Sequence, residues 1–231
     1  MSSRDAAVPA AAYKDMCVDA VDAVRMGRFW AGVLGLEMRP PREDGVVALV
    51  GPTPQHTVWI NPVPEPVTVK QRVHLDVHAA AVADVLALGA TALDRTSFRW
   101  QVLRDPEGGE LCVFERSEVP DDRLYEIGVD SGDPERIARW WAGVLGGSLV
   151  HGQDEGWWAV EQVPGAPYEC LVFAPVPEPK TVKNRIHLDV TTSDVARLVA
   201  AGAAVLRRPD CDIGWTVLAD PDGNEFCAFE E

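Results

Sequence analysis

The 231-residue chain contains no apolar run approaching the roughly 18 residues a membrane-crossing helix needs. Basic residues are scarce: 21 Lys and Arg stand against 36 Asp and Glu, a formal net charge of −15. That shortage excludes the cationic surface needed to hold nucleic-acid phosphates or anionic lipid, so neither nucleic acid nor membrane is an expected partner. The five cysteines are odd in number and show no CxxC spacing. They argue against a disulfide framework and for free thiols in a reducing, cytoplasmic setting. GxSxG, the P-loop and GxGxxG are all missing, so nucleophile-elbow and nucleotide-loop chemistries have no motif to stand on. The opening MSSRDAAVPAAA lacks a basic region followed by an apolar stretch, and residues 1–12 read as a short disordered leader rather than a secretory signal.

What the chain does have is itself, twice. FWAGVLG at 29–35 returns as WWAGVLG at 140–146. PVPEPVTVKQRVHLDV at 62–77 returns as PVPEPKTVKNRIHLDV at 175–190, and WQVLRDPEGGELCVFE at 100–115 as WTVLADPDGNEFCAFE at 215–230. Three collinear matches mean a duplication. The halves are placed at 13–116 and 123–231, joined by the polar, proline-containing linker 117–122.

Each half alternates in period. Met26, Phe29, Trp30, Val33 and Leu34 form the apolar stripe of a helix packed on one face. Its repeat begins with Asp133 as cap and Pro134 in the first turn; Gly35 and Gly146 end the two copies. Short strands follow, then RVHLDV opens a second round with a helix through Val82, Val85 and Leu86. The half closes with two strands joined by RDPEGG. The pattern is strand–helix–three strands, four times over, which predicts an α+β fold of curved mixed sheets with helices on one face only.

Strand alternation then sorts the polar residues. Val73, Leu75 and Val77 share the face that packs on helices, leaving His74, Asp76 and His78 on the other. The repeat sets Ile186, Leu188 and Val190 against His187, Asp189 and Thr191. Cys112 and Cys227 fall on the same polar face of the last strands, while Trp59, Trp100 and Trp215 lie on neighbouring strands. His74, Asp76, Trp59, Trp100, His187, Asp189 and Trp215 are therefore the expected lining of a small-molecule pocket. The tryptophans suit the stacking of a flat ligand. Asp76 and Asp189 are the candidate general bases; the competing reading makes them structural carboxylates, paired with Arg72 and Arg185 or fixing the neighbouring histidine. Cys112 and Cys227 have the competing reading of small buried hydrophobes.

FW..VLG on the first helix, RVHLDV opening the second module and DPEG.E.C.FE at the end resemble the vicinal oxygen chelate superfamily, in its glyoxalase-like branch, also described as the glyoxalase/bleomycin resistance/dioxygenase group. The resemblance covers the chain apart from leader and linker. It implies tandem domains of βαβββ modules and a divalent ion at the centre of a bowl, held by His and Glu from the first and last strands of two modules. Carried over, those positions fall on His74, Cys112 and a first-strand carboxylate, Asp15 or Glu126, and in the repeat on His187, Cys227 and the other carboxylate. Cysteine stands where the family has glutamate, which points to zinc or iron rather than to magnesium or manganese. The remaining ligand position falls near Trp59 and Leu171.

Two functions follow from these residues. One is a binder holding a small, aromatic molecule in the concave sheet, for sequestration or resistance. The other is a metal-dependent lyase, isomerase or dioxygenase using a His/Cys/carboxylate site. Whether modules pair within or across the halves stays open at this level, and so does the choice between a monomer with pseudo-dimeric halves and a homodimer.

Overall fold

A computed structural model describes residues 8–94, 96–152 and 156–231. The first module is β1 (Ala12–Ala20), α1 (Ala23–Leu34), β2 (Glu37–Met38), β3 (Val47–Val50) and β4 (Val58–Pro62). The second is β5 (Val73–Ala79), α2 (Val82–Ala87), β6 (Thr91–Asp94), β7 (Gln101–Arg104) and β8 (Glu110–Glu115). The third holds β9 (Leu124–Ser131), α3 (Pro134–Leu145), β10 (Ser148–His151), β11 (Trp158–Glu161) and β12 (Cys170–Pro175). The fourth holds β13 (Ile186–Thr192), α4 (Val195–Ala200), β14 (Ala204–Arg207), β15 (Thr216–Ala219) and β16 (Glu225–Glu230). This is the α+β arrangement of four βαβββ modules that the repeats predict.

Local chemistry starts and stops the helices. Asp22 accepts the Arg25 N–H at 2.9 Å and Asp133 accepts the Arg136 N–H at 3.2 Å, each satisfying a donor that the first helical turn leaves free. Gly35 and Gly146 leave α1 and α3 at φ 71° and 79°, left-handed values that glycine reaches without steric cost. Glu115 and Glu230, which alternation turns away from the cysteines, accept the Val82 and Val195 N–H groups at 2.9 and 3.1 Å and so anchor the short second helices of each half.

Two eight-stranded sheets form, and neither belongs to one half. Their orders are β14-β15-β16-β13-β1-β4-β3-β2 and β10-β11-β12-β9-β5-β8-β7-β6. The first module therefore joins the fourth through the antiparallel pair β1–β13, and the second joins the third through β5–β9. The repeated PVPEP segments are the crossovers that carry the chain from one sheet to the other, at 63–72 and again at 176–185. Between the halves, 116–123 connects β8 to β9 within one sheet.

Met26, Phe29, Trp30, Val33 and Leu34 on α1 are all buried, as are Ile137, Trp141, Val144 and Leu145 on α3. They cover the apolar face formed by residues such as Met16, Leu75, Ile127 and Leu188. Close to the N-terminus, the Ala11 N–H donates to Val144 O at 3.0 Å, and β1 begins at Ala12; the rest of the expected leader, residues 1–7, lies outside the described residues. No helix among the described residues is long and apolar enough to cross a membrane.

Candidate functional site

The polar face of the central strands of the β5–β9 sheet is the floor of a bowl. The β5–β9 sheet encloses a cavity of about 1110 Å³. His74 and Asp76 reach it from β5, Cys112 from β8, Glu126 from β9 and Cys170 from β12. His74 Nε2 lies 3.3 Å from Asp76 Oδ1, and one donor atom each of His74, Asp76 and Cys112 fall within 4.8 Å of one another. The Cys170 thiol donates to Glu126 Oε1 at 3.4 Å.

One wall of this bowl is aromatic. Phe98 stacks on Trp100 at 5.0 Å and 10°, Trp100 on Phe114 at 5.3 Å and 23°, and Phe114 meets Tyr125 edge-on at 4.9 Å. Arg116 caps the far end, 5.6 Å from the Phe114 ring and 5.3 Å from Tyr125. The remaining lining is acidic: Asp94, Glu110, Glu161 and Glu169 join Asp76 and Glu126, against Lys70 and His74. Trp157 faces this cavity, while its neighbour Trp158 packs against His151 at 4.9 Å.

The charges interact. Burial acts to lower the pKa of His74, but the Asp76 charge, the hydrogen bond to it and the Cys112 contact outweigh burial and hold the imidazole well above its ordinary value. Burial, then the Asp76 charge, pushes Glu126 up to about 7. Burial also raises the Cys112 and Cys170 thiols.

The β1–β13 sheet repeats the floor with different neighbours. His187 Nε2 stands 3.5 Å from Asp189 Oδ1 and 3.5 Å from Cys227 Sγ. The Cys17 thiol donates to Asp189 Oδ2 at 3.6 Å, and donor atoms of Cys17, His187 and Asp189 converge within 4.8 Å. Asp15 is engaged from two sides, by Trp59 Nε1 at 3.1 Å and Lys14 Nζ at 2.6 Å. Lys14 also sits 4.4 Å over the Phe229 ring, which stacks on Trp215 at 5.3 Å. Here burial prevails: it drives His187 down to about 4 and, with the Asp15 charge, raises Asp189 well above the usual carboxylate range.

The residues expected from sequence thus separate into two sets. His74, Asp76, Trp100, Cys112 and Glu126 share the bowl; Asp15, Trp59, His187, Asp189, Trp215 and Cys227 gather on the β1–β13 sheet. Cross-half pairing sends Asp15 to His187 and Glu126 to the sheet of His74. Of the two structural readings of Asp76 and Asp189, the geometry fits the one in which each carboxylate stands beside its own histidine, while Arg185 binds Glu107 at 2.9 Å. His78 stays on the face of Phe114, its partner across β5–β8, and is buried with its ring 4.5 Å from Tyr125. One expectation needs correction: the counterpart of Trp59 is Val172 and not Leu171. Trp59 faces Cys17 across β4–β1 as Val172 faces Gly128 across β12–β9, and Leu171 belongs to the core. Cys17, Cys170 and Gly128 were not anticipated at the sites. The signal for Cys17 was present, since it lies two residues from Asp15 on the same strand face.

Both floors offer an imidazole, a thiol and a carboxylate, a donor set that fits zinc or another softer divalent ion. His187 Nδ1 is buried without a hydrogen-bond partner.

The model of the glyoxalase-like domain family matches residues 15–114 and again 126–229, so the chain belongs to that family. Glyoxalase I from Zea mays superposes with a TM-score of 0.68 at 15% identity, over 95% of this chain and 92% of that one. A putative dioxygenase from Bacillus subtilis superposes with a TM-score of 0.65 at 14% identity, over 96% and 86%. At such identities the likeness is one of fold. Comparison with curated protein sequences finds no match.

Proposed function

We propose that this glyoxalase-like protein binds a flat, positively charged aromatic molecule in the β5–β9 bowl and holds it without altering it, as a sequestering protein does. The observation that carries the reading is the continuous ladder of Phe98, Trp100, Phe114 and Tyr125 rising over a floor and rim of carboxylates. The rings offer stacking worth about 0.5–1.5 kcal/mol per pair, and a cation over such a face gains about 2 kcal/mol once desolvated. Six carboxylates against one lysine and one histidine select a cation. The volume, about 1110 Å³, exceeds the roughly 300–1,000 Å³ of common ligand pockets and accommodates a polycyclic compound. Each floor is complete within one chain, so the proposed binding unit is a monomer with pseudo-dimeric halves.

The test is titration with proflavine, a planar cation, against naphthalene-2-sulfonate, a planar anion, followed by tryptophan quenching and calorimetry. Proflavine is expected to bind saturably and be recovered intact, the sulfonate not to bind, and Trp100→Ala to weaken proflavine roughly ten-fold through the lost stacking. Equal affinity for both probes, or no effect of Trp100→Ala, sinks the proposal.

A second reading rests on the convergence of His74, Asp76 and Cys112 in one sheet and of Cys17, His187 and Asp189 in the other, each set with donor atoms within 4.8 Å of one another. His74, Cys112 and Asp76, with Glu126 beside them, would hold a divalent ion in the bowl; His187, Cys17 and Asp189, with Cys227, would do so on the β1–β13 sheet. Such an ion supplies Lewis-acid polarisation of a substrate oxygen. The chain's own part would be proton handling at Glu126, which burial keeps near neutrality. Elemental analysis of untagged protein purified without chelators separates the readings: about one equivalent of metal per sheet, lost in His74→Ala and His187→Ala, favours the lyase, isomerase or dioxygenase.

A further inference from the structure

A second cavity, of about 410 Å³, lies between the two PVPEP crossovers, away from both floors. Its lining is unusual for so acidic a chain. Lys70, Arg72, Lys183 and Arg185 all face it, with Gln71 and Asn184 between them, against Asp19 and Glu65. The duplication explains the convergence: TVKQR and TVKNR are the same segment, and the crossovers bring the two copies together.

Three of the four cations are neutralised within the fold. Lys70 pairs with Asp130, Lys183 with Asp19, and Arg185 with Glu107. Arg72 has no such partner among the described residues. Duplication again shows why. Glu107 belongs to the DPEGG turn, and its counterpart in the DPDGN turn is Asp222. Asp222 is taken by Ser131 Oγ and Arg136 instead, so the carboxylate that symmetry would give Arg72 is engaged elsewhere. Arg25, Arg28, Arg99, Arg104 and Arg208 also lack a side-chain partner, but all are exposed to water. Arg72 is half-buried and lines the cavity; its Nε is enclosed without an acceptor, as is that of Arg185, but Arg185 has Glu107 and Arg72 has no ion-pair partner among the described residues. A buried guanidinium donor without an acceptor is costly, and a planar two-oxygen anion satisfies its fork best. Val67, Val69 and Val182 supply an apolar border beside it.

We propose that Arg72 anchors an anion site in this cavity, taking the carboxylate or phosphate group of a small molecule whose hydrocarbon part rests on the valines. Lys70 lines both this cavity and the large bowl, so the two spaces adjoin. The site stands on its own observations and does not depend on the ligand read for the bowl.

Inorganic phosphate and benzoate are the probes, titrated separately at ionic strength held constant with sodium chloride, because exposed charge pairs are screened by salt. Calorimetry and the NMR shift of the Arg72 Nε–H are the readouts. At least one probe is expected to bind saturably and move that resonance. Arg72→Gln should lose roughly ten-fold or more in affinity, the loss expected when a bidentate partner is removed, while Arg28→Gln on the exposed surface changes nothing. Arg72→Lys, which keeps the charge but not the fork, should fall between and serves if the glutamine variant does not fold. Preference for phosphate or for benzoate tells which group the natural ligand bears. Absence of saturable binding by both probes, or unchanged affinity in Arg72→Gln and Arg72→Lys, overturns the proposal.

Discussion

The imidazole of His74 occupies the space that a side chain at residue 128 would fill: a Cβ built on Gly128 would stand 2.4 Å from both Cε1 and Nε2 of the ring. The two residues are direct partners across β5–β9, just as His187 and Cys17 are across β13–β1. One sheet removes the side chain and lets its histidine lean over the neighbouring strand toward Asp76. The other keeps a thiol there. This difference at one register position changes the surroundings of the two histidines.

Gly128→Ala should therefore push His74 out of place. Overpacking of this kind costs about 1–3 kcal/mol, to be read as a lowered urea midpoint with an unchanged slope. A variant as stable as the parent would show that the ring has room to move.

The two histidines should titrate far apart in protein free of metal. NMR is expected to find His74 protonated to well above the ordinary imidazole range, and His187 neutral down to about pH 4. The stability consequences have opposite signs. A raised pKa means the folded state binds the proton more tightly, so the His74 contribution is full below about 6.5 and fades as pH rises through the folded value. A lowered pKa means the unfolded state binds it more tightly, so the His187 term erodes stability as pH falls from about 6.5 towards 4. Coincident titration of both rings would contradict the geometry of the two floors.

Because each sheet takes one module from each half, fragments 1–116 and 117–231 should depend on one another. Co-expressed, they are expected to copurify as one folded complex with the circular dichroism of the intact chain. Two fragments that fold separately as monomers and do not associate would disprove the cross-half pairing.

Glu107 joins the halves at a buried point. It binds Arg185 at 2.9 Å, both side chains being about one-tenth exposed, and it accepts the Val21 and Asp22 N–H groups at 2.8 Å. Glu107→Gln leaves a guanidinium without its charge partner and should cost about 3 kcal/mol in chemical denaturation, at the low end for breaking an enclosed pair. A loss under about 1 kcal/mol would place the pair with ordinary surface bridges.

Much of this was legible before any coordinates. The helix stripe of Met26, Phe29, Trp30, Val33 and Leu34 is a local pattern, and so is the alternation that turns His74 and Asp76 away from the core. Both survive folding because period and burial are coupled along one element. The register of β4 against β12 was not legible. A one-residue slip exchanges core for bowl, and no local feature distinguishes Leu171 from Val172. For His78, alternation gives the face, opposite Phe114 across β5–β8, but not the burial of its ring against Tyr125 from the neighbouring strand.

By itself, the sequence determined the duplication, the α+β modules and the polar face on which chemistry can occur, because repeats, helical stripes and strand alternation are written within short stretches of chain. Only the tertiary structure decided the company each residue keeps. The crossovers pair the first module with the fourth and the second with the third. That pairing sets Glu126 beside Asp76 and Cys17 beside His187, and brings Arg72 and Arg185 to one cavity, Arg72 without an acid of its own among the described residues. Contacts between residues far apart in the chain depend on which strand edges meet, and strand edges carry the same backbone groups whatever the sequence.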